Sequence, residues 1–244
     1  MSQRRFGHSN NPDLPASEAV LLLPFGRQSY LPAIADRYDG EEVALDETTD
    51  RIVYILRGAP RAVTLIYSGM GGPAAANAVE MAAANGARRL VVVGACGGVS
   101  PDVAVGDLVA PFGAVRGEGT SAYYAPSAFP AAFDPELVSR LLGSARARDG
   151  VSVHKGIVYT TDASYRQGGE IYEDHRGLVI AAECECATVA VVGARLGIAS
   201  AALLFCTDNV TLRSEGDRVY SGLADPRVER AFTACLDAAL EALR

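Results

Sequence analysis

The feature that most constrains the fold is a series of short, almost entirely apolar segments that alternate with helix-like segments. Such segments occur at residues 19–25, 89–94 and 198–207. A strand that is apolar on both faces is buried on both faces, which happens when helices cover both sides of a sheet. The pattern therefore predicts a three-layer α/β/α fold. Because no stretch has the composition of an interdomain linker, residues 1–244 are interpreted as one domain.

Further elements are predicted between these segments. Strands are predicted at residues 52–56, 62–67, 107–115, 151–159 and 178–182, and helices at residues 27–38, 73–86, 135–148 and 186–196. The helix at 73–86 has proline at its first position and glycine at its end, as is typical of helix termini. A last amphipathic helix is predicted because one face carries Val228, Phe232, Leu236, Leu240 and Leu243.

Charge and composition exclude several classes of protein. The net charge is −7, and the Lys and Arg residues are scattered rather than grouped in a stripe. This argues against a nucleic-acid partner, although a few local Arg side chains could still hold a small anion. The first 15 residues are polar, and the longest apolar run is too short to span a bilayer. We therefore expect a cytoplasmic protein without membrane contact.

The five cysteines do not form the pattern of a disulfide framework. Their number is odd and no CxxC pair exists, which favours reduced thiols. Cys184 and Cys186 lie next to glutamates, but no histidine stands nearby to complete a metal site. No metal is predicted.

Polar and glycine-rich segments follow four of the predicted strands, at residues 68–73, 94–98, 183–185 and 207–209. In α/β sheets, ligands bind where strands end. Residues 69–74 match the GxGxxA form of a dinucleotide fingerprint, but the acidic residue expected about 20 positions later is missing. A tight turn that allows close helix packing explains the glycines equally well, and the helix N-terminus that it exposes could attract a hydroxyl or an anion.

Three carboxylates at strand ends are candidate functional groups. Glu183 and Glu185 are separated by one residue and would point the same way in extended geometry. The structural alternative is that Glu185 caps the following helix. Asp208 follows an apolar strand, where burial would raise the pKa of its carboxyl toward values useful for proton donation. Its alternative is a turn cap.

Taken in order, these strand ends resemble the nucleoside phosphorylase family, which includes uridine phosphorylases, purine nucleoside phosphorylases and methylthioadenosine nucleosidases. The resemblance extends over residues 8–211 and rests on residues 93–99, 105–107, 115–126, 182–187 and 207–208. It implies a phosphorylase/hydrolase-like fold with a mixed central sheet. It also implies a small-molecule nucleoside as substrate, no cofactor apart from inorganic phosphate as a candidate co-substrate, and self-association as a dimer or hexamer.

The resemblance also assigns roles to individual residues. Glu185 would hydrogen-bond the ribose hydroxyls, and Asp208 would protonate or hydrogen-bond the leaving purine. His8 matches a histidine that reaches across a dimer interface to the 5′-hydroxyl. The other implied nucleoside contacts are Met70, Cys96, Gly97, Tyr165, Glu183 and Cys184. The glutamine and arginine that bind uracil in uridine phosphorylases are absent, since Gly168 and Glu170 occupy those positions, and this favours a purine.

The phosphate site departs from the family pattern. Gly26 matches the glycine of the phosphate loop, and Arg27 and Arg51 are candidate cations, the latter from a neighbouring subunit. The positions where the family has Arg, Arg and Ser or Thr are occupied by Tyr30, Val92 and Ala95. Burying a phosphate dianion without paired cations is costly. A phosphorylase is therefore the first interpretation, a nucleosidase using water the second, and a non-catalytic nucleoside-binding relative the third; the presence of Glu185 and Asp208 argues against the third.

Overall fold

The computed structural model describes residues 17–25, 27–46, 51–57, 62–164, 174–209 and 224–244, with the backbone alone at 27–29, 43–46 and 51–52. The strands in these ranges are β1 (Ala19–Leu23), β2 (Gly40–Asp46), β3 (Arg51–Leu56), β4 (Val63–Tyr67), β5 (Arg89–Gly98), β6 (Leu108–Gly117), β7 (Ala131–Ala132), β8 (Val153–Thr161), β9 (Ala181–Glu183) and β10 (Ala199–Asn209). The helices are α1 (Arg27–Tyr38), α2 (Gly72–Ala84), α3 (Pro135–Arg146), α4 (Cys186–Leu196) and α5 (Pro226–Ala242).

The strands form one mixed sheet in the order β10-β6-β8-β9-β5-β1-β4-β3-β2, with β7 paired to β6. Strand β5 lies at its centre, parallel to both β1 and β10. A further antiparallel pairing joins β5 to β9, and β10 is antiparallel to β6. The strands β5, β10, β6, β8 and β9 therefore close a ring. The predicted α/β fold with a mixed sheet is confirmed.

The apolar segments form the core, as their composition predicts. Leu21, Leu22 and Leu23 of β1 are inaccessible to solvent, and the centre of β5 is equally buried. Helix α4 is buried along residues 186–193, because it packs against the sheet on one side and α2 on another. None of the described helices is both long enough and apolar enough to cross a membrane.

Several predicted boundaries were wrong. Strand β9 begins at Ala181 rather than at residue 178, because Leu178 ends a turn in which its amide donates to the His175 carbonyl, and its side chain is 67% exposed. Strand β5 continues four residues beyond the predicted end, through the glycines to Gly98. The polar edge strand β2 and the two-residue β7 were not predicted.

Candidate active site

Three neighbouring strands bring the predicted site residues together. Asp208 of β10 pairs with Gly97 of β5, and Gly97 pairs on its other side with Ala182 of β9. Neighbouring strands are about 4.8 Å apart, so Asp208 and the end of β9 lie on either side of Gly97, roughly 10 Å from each other. The predicted site residues of β10, β5 and β9 therefore lie on adjacent strands.

Glu183 is a buried capping carboxylate at the start of helix α4. Its Oε2 accepts hydrogen bonds from the amides of Glu185 at 2.6 Å and Cys186 at 2.7 Å. Its Oε1 accepts a hydrogen bond from the Thr160 hydroxyl at 2.5 Å. Burial raises the pKa of Glu183, whereas these hydrogen bonds lower it by stabilising the ionised form. Its predicted role of lining the nucleoside pocket stays a prediction, since both oxygens already bind protein groups.

Glu185 does not point the way that extended geometry predicts. Strand β9 ends at Glu183, and Glu185 has φ −132° and ψ −31°, so the alternation argument was wrong for this pair. The side chain makes no bond to its own helix, which excludes the capping alternative. Instead, its Oε1 accepts a hydrogen bond from the amide of Gly71 at 2.6 Å. This contact ties the start of α4 to the turn before α2.

The Glu185 carboxyl is electrostatically unusual. It is 4% exposed, and its pKa is raised to about 8, first by burial and then by the nearby Glu183 carboxylate. The hydrogen bond from Gly71 acts in the opposite direction, because it favours the ionised form. With this raised pKa the carboxyl loses its proton less readily than an exposed glutamate does, and in its protonated form it can both accept and donate hydrogen bonds.

The turn that carries Met70 depends on glycine. Gly69 and Gly71 have φ values of 77° and 99°, a region that side chains disfavour. A Cβ atom on Gly72 would lie 2.8 Å from Oγ1 of Thr120, which is closer than real Cβ atoms approach. The tight-turn interpretation of this glycine motif therefore accounts for all three glycines. Met70 itself is 66% exposed at the tip of the turn.

Asp208 lies over Gly97, half-buried. The register of β10 against β5 shifts between Cys206 and Asp208, and this bulge sets Asp208 opposite Gly97. A Cβ atom on Gly97 would lie 3.0 Å from Oδ1 of Asp208, so the carboxylate occupies the space that a side chain there would take. On the far side of the bulge, the Asn209 amide donates to the carbonyls of Ser100 and Val103, both at 2.7 Å. The Asn209 contacts thus anchor the end of β10 directly after Asp208.

The cysteines near the site form no disulfide. All five cysteines of the chain are free, and Cys96 and Cys206, which are paired across β5 and β10, interact through their thiols. The pKa of Cys184 is raised to about 12, first by burial and then by Glu185 and Glu183. Within the described ranges, no group of three or more His, Cys, Asp or Glu side chains could hold a metal ion.

Only part of the predicted phosphate site lies among the described residues. His8, Tyr165 and Gly26 lie outside the described residues, as do the side chains of Arg27 and Arg51, so their roles stay predictions. The two residues that stand where the family has arginine are both buried in the core. The Tyr30 ring packs edge-on against Phe232 at 4.8 Å and Phe25 at 5.2 Å, and Val92 is fully buried.

The loop after β6, part of the resemblance, is organised by Arg116. Its guanidinium donates to the Ser121 hydroxyl at 2.8 Å and to four loop carbonyls, those of Ala125, Pro126, Ser127 and Phe129. Glu118 accepts from the amide and hydroxyl of Ser121 and, at 3.0 Å, from the hydroxyl of Thr188 in α4. The motif thus fixes the loop against the helix that begins at the site.

A family model described as the phosphorylase superfamily matches residues 20–241, and the chain belongs to this superfamily. It is 30% identical to a guanosine phosphorylase of Halorubrum lacusprofundi over 90% of this chain and 92% of the relative. It is 36% identical to a uridine phosphorylase of Thermococcus kodakarensis over 59% of this chain and 51% of the relative.

Solved structures show the same fold. The purine nucleoside phosphorylase of Toxoplasma gondii, in complex with immucillin-H, superposes with a TM-score of 0.83 at 20% identity, over 94% of this chain and 91% of that one. A uridine phosphorylase of Vibrio fischeri superposes with a TM-score of 0.79 at 25% identity, over 93% and 91%.

The raised pKa of Glu185 makes a testable prediction about stability. Below about pH 4.5 the carboxyl is protonated in both states, and its contribution to the free energy of unfolding is fully present. As the pH rises toward about 8, the unfolded chain has released this proton while the folded protein retains it, so stability falls. A glutamine side chain cannot ionise, so the Tm of Glu185→Gln should exceed that of the wild type by a margin that grows over this range. A constant margin in calorimetry would contradict the buried, neutral carboxyl.

Proposed function

We propose that this protein is a nucleoside phosphorylase that cleaves the N-glycosidic bond of a purine nucleoside, giving ribose 1-phosphate and the free base. The observation that carries the proposal is the position of Asp208 opposite Gly97, with the end of β9, just before Glu185, paired on the other side of the same glycine. The guanosine phosphorylase that matches this chain over nearly its full length supports a purine substrate.

The ribose end of the reaction needs negative charge. Breaking an N-glycosidic bond passes through a sugar with oxocarbenium character, which a fixed carboxylate stabilises. Glu185 is preorganised for this task because Gly71 holds one of its oxygens in place. Positive charge that develops on the sugar stabilises the ionised form of Glu185, which is the form that meets the ribose when the bond breaks.

The base end needs a proton or a strong donor, because a purine leaves poorly as an anion. The carboxyl of Asp208 lies beside Gly97, on the opposite side of that residue from β9. A nucleoside whose ribose meets Glu185 would place its base across this glycine, toward Asp208.

A hydrolytic outcome is the alternative, and the surroundings of Tyr30 and Val92 favour testing it. Since an aromatic cluster and a buried valine replace two cations, we expect only weak phosphate dependence. Losing two charge-assisted hydrogen bonds should weaken phosphate binding roughly a hundredfold or more. Water could then compete for attack on the sugar.

Quantifying ribose 1-phosphate and free ribose while titrating phosphate tests both outcomes. We expect the sugar phosphate to dominate only at high phosphate, with an apparent constant far above the micromolar range. Saturation at micromolar phosphate, with sugar phosphate alone, would show that other cations rebuild the site. Free ribose at every phosphate concentration would replace the phosphorylase with a nucleosidase.

A further inference from the structure

We propose that Thr160 and Glu183 are positioning residues that keep the Glu185 carboxyl available to the ribose. This inference rests on the proposed function, in which Glu185 meets the ribose hydroxyls. Neither residue needs to touch substrate, because each acts through the backbone at the start of α4.

The two side chains bind successive amides at the N-terminal end of α4. Glu183 accepts from the amides of Glu185 and Cys186, and the Thr160 hydroxyl oxygen accepts from the amide of Ala187 at 2.9 Å. The same hydroxyl donates its proton to Glu183. Helix N-termini leave amides without intrahelical partners, and a buried end requires acceptors from elsewhere. Here these acceptors come from β8 and β9 rather than from the N-cap residue.

This arrangement frees the side chain of Glu185. A polar side chain at an N-cap position commonly folds back to accept from the amides of the first helical turn. Ala187, two residues into the helix, already donates to Thr160, and Glu185 makes no bond to its own helix. Its carboxyl instead extends to the amide of Gly71, which belongs to the turn that carries Met70.

The strand register holds the pair together. Thr160 of β8 is the direct neighbour of Glu183 in β9, so a short hydroxyl reaches the carboxylate without a backbone adjustment. Thr160 is fully buried, and Glu183 is 4% exposed with hydrogen bonds on both oxygens. Both oxygens of Glu183 and the hydroxyl of Thr160 are already bound to protein groups, and these contacts fix the backbone at Glu185. Glu183 also contributes charge, since it is the second cause of the raised pKa of Glu185.

Thr160→Val tests the inference, because valine keeps the volume and removes the hydroxyl. The change leaves the Ala187 amide and one Glu183 oxygen without their partner, which should loosen the start of α4. We expect kcat/KM for the ribonucleoside to fall about tenfold, and that for the matching 2′-deoxyribonucleoside to fall much less. Thr160→Ser retains the hydroxyl and should restore the wild-type ratio of the two.

The ratio of the two substrates separates positioning from stability. Both rates are measured on one sample, so a lower folded fraction cancels. Glu183→Gln is the second variant, and it should lower the ratio too, because its single amide oxygen cannot accept from both the Thr160 hydroxyl and the helix amides. An unchanged ratio in both variants would overturn the inference while leaving the proposed function intact. Absence of nucleoside cleavage by the wild type would instead overturn the proposed function.

Discussion

Replacing Asp208 with alanine is expected to lower kcat on the best purine nucleoside roughly 100-fold or more, the scale on which a lost general acid acts. The effect should fall mainly on kcat, because the proton is needed in the transition state rather than in the bound substrate. Steady-state kinetics on a panel of purine nucleosides measures both parameters.

Two further variants show which property of Asp208 causes the loss. Asp208→Asn keeps the volume and a hydrogen-bond donor but cannot release a proton, so it separates donation from proton transfer. Asp102 lies exposed in a turn outside the site, and Asp102→Ala should leave kcat unchanged. If Asp208→Ala retained wild-type turnover, Asp208 would be reduced to a structural group at the bulge.

The sequence predicts some element limits well. Helices α1 and α4 have the predicted limits, and α4 is followed by Gly197, whose left-handed conformation suits glycine. The edge strand β2 has the sequence GEEVALD, and because of its charged residues it lacks the apolar pattern by which the buried strands were predicted. Strand β2 forms because it pairs with β3 in antiparallel orientation. The sequence of one strand alone does not reveal its pairing partner.

The sequence indicates Glu185 and Asp208 as candidates but does not predict their geometry. Both come at the end of apolar segments, and that signal is local. The bulge that places Asp208 opposite Gly97 depends on how two strands pair, so sequence spacing cannot reveal it. For the same reason Thr160 was missed, since only the register of β8 against β9 brings it to Glu183.

Helix α4 is capped by Glu183 and not by Glu185. From the sequence, Glu185 was the candidate cap because it directly precedes the helix. The structure uses Glu183, two residues earlier, because the chain turns sharply at Cys184 and Glu185. A carboxylate three residues before an amide can reach it across such a turn, and this leaves the nearer carboxylate free for another task.

Replacing Glu185 with glutamine is expected to lower kcat/KM for a purine ribonucleoside on the order of 100-fold, the scale of one lost electrostatic contact to a developing charge. Glutamine keeps the oxygen that accepts from Gly71, so the turn should stay in place. It cannot become anionic as the sugar gains positive charge. Kinetics with ribonucleoside and 2′-deoxyribonucleoside should show the larger loss for the ribonucleoside, whose extra hydroxyl depends on this group.

The same variant is expected to gain stability while it loses activity, and this combination identifies the cause. A buried carboxyl with its pKa raised to about 8 destabilises the folded protein at alkaline pH, and glutamine removes that penalty. A more stable but slower enzyme cannot owe its lower rate to unfolding. Wild-type kcat/KM in Glu185→Gln, together with the higher Tm, would mean that the burial is real and that the ribose is bound by another group.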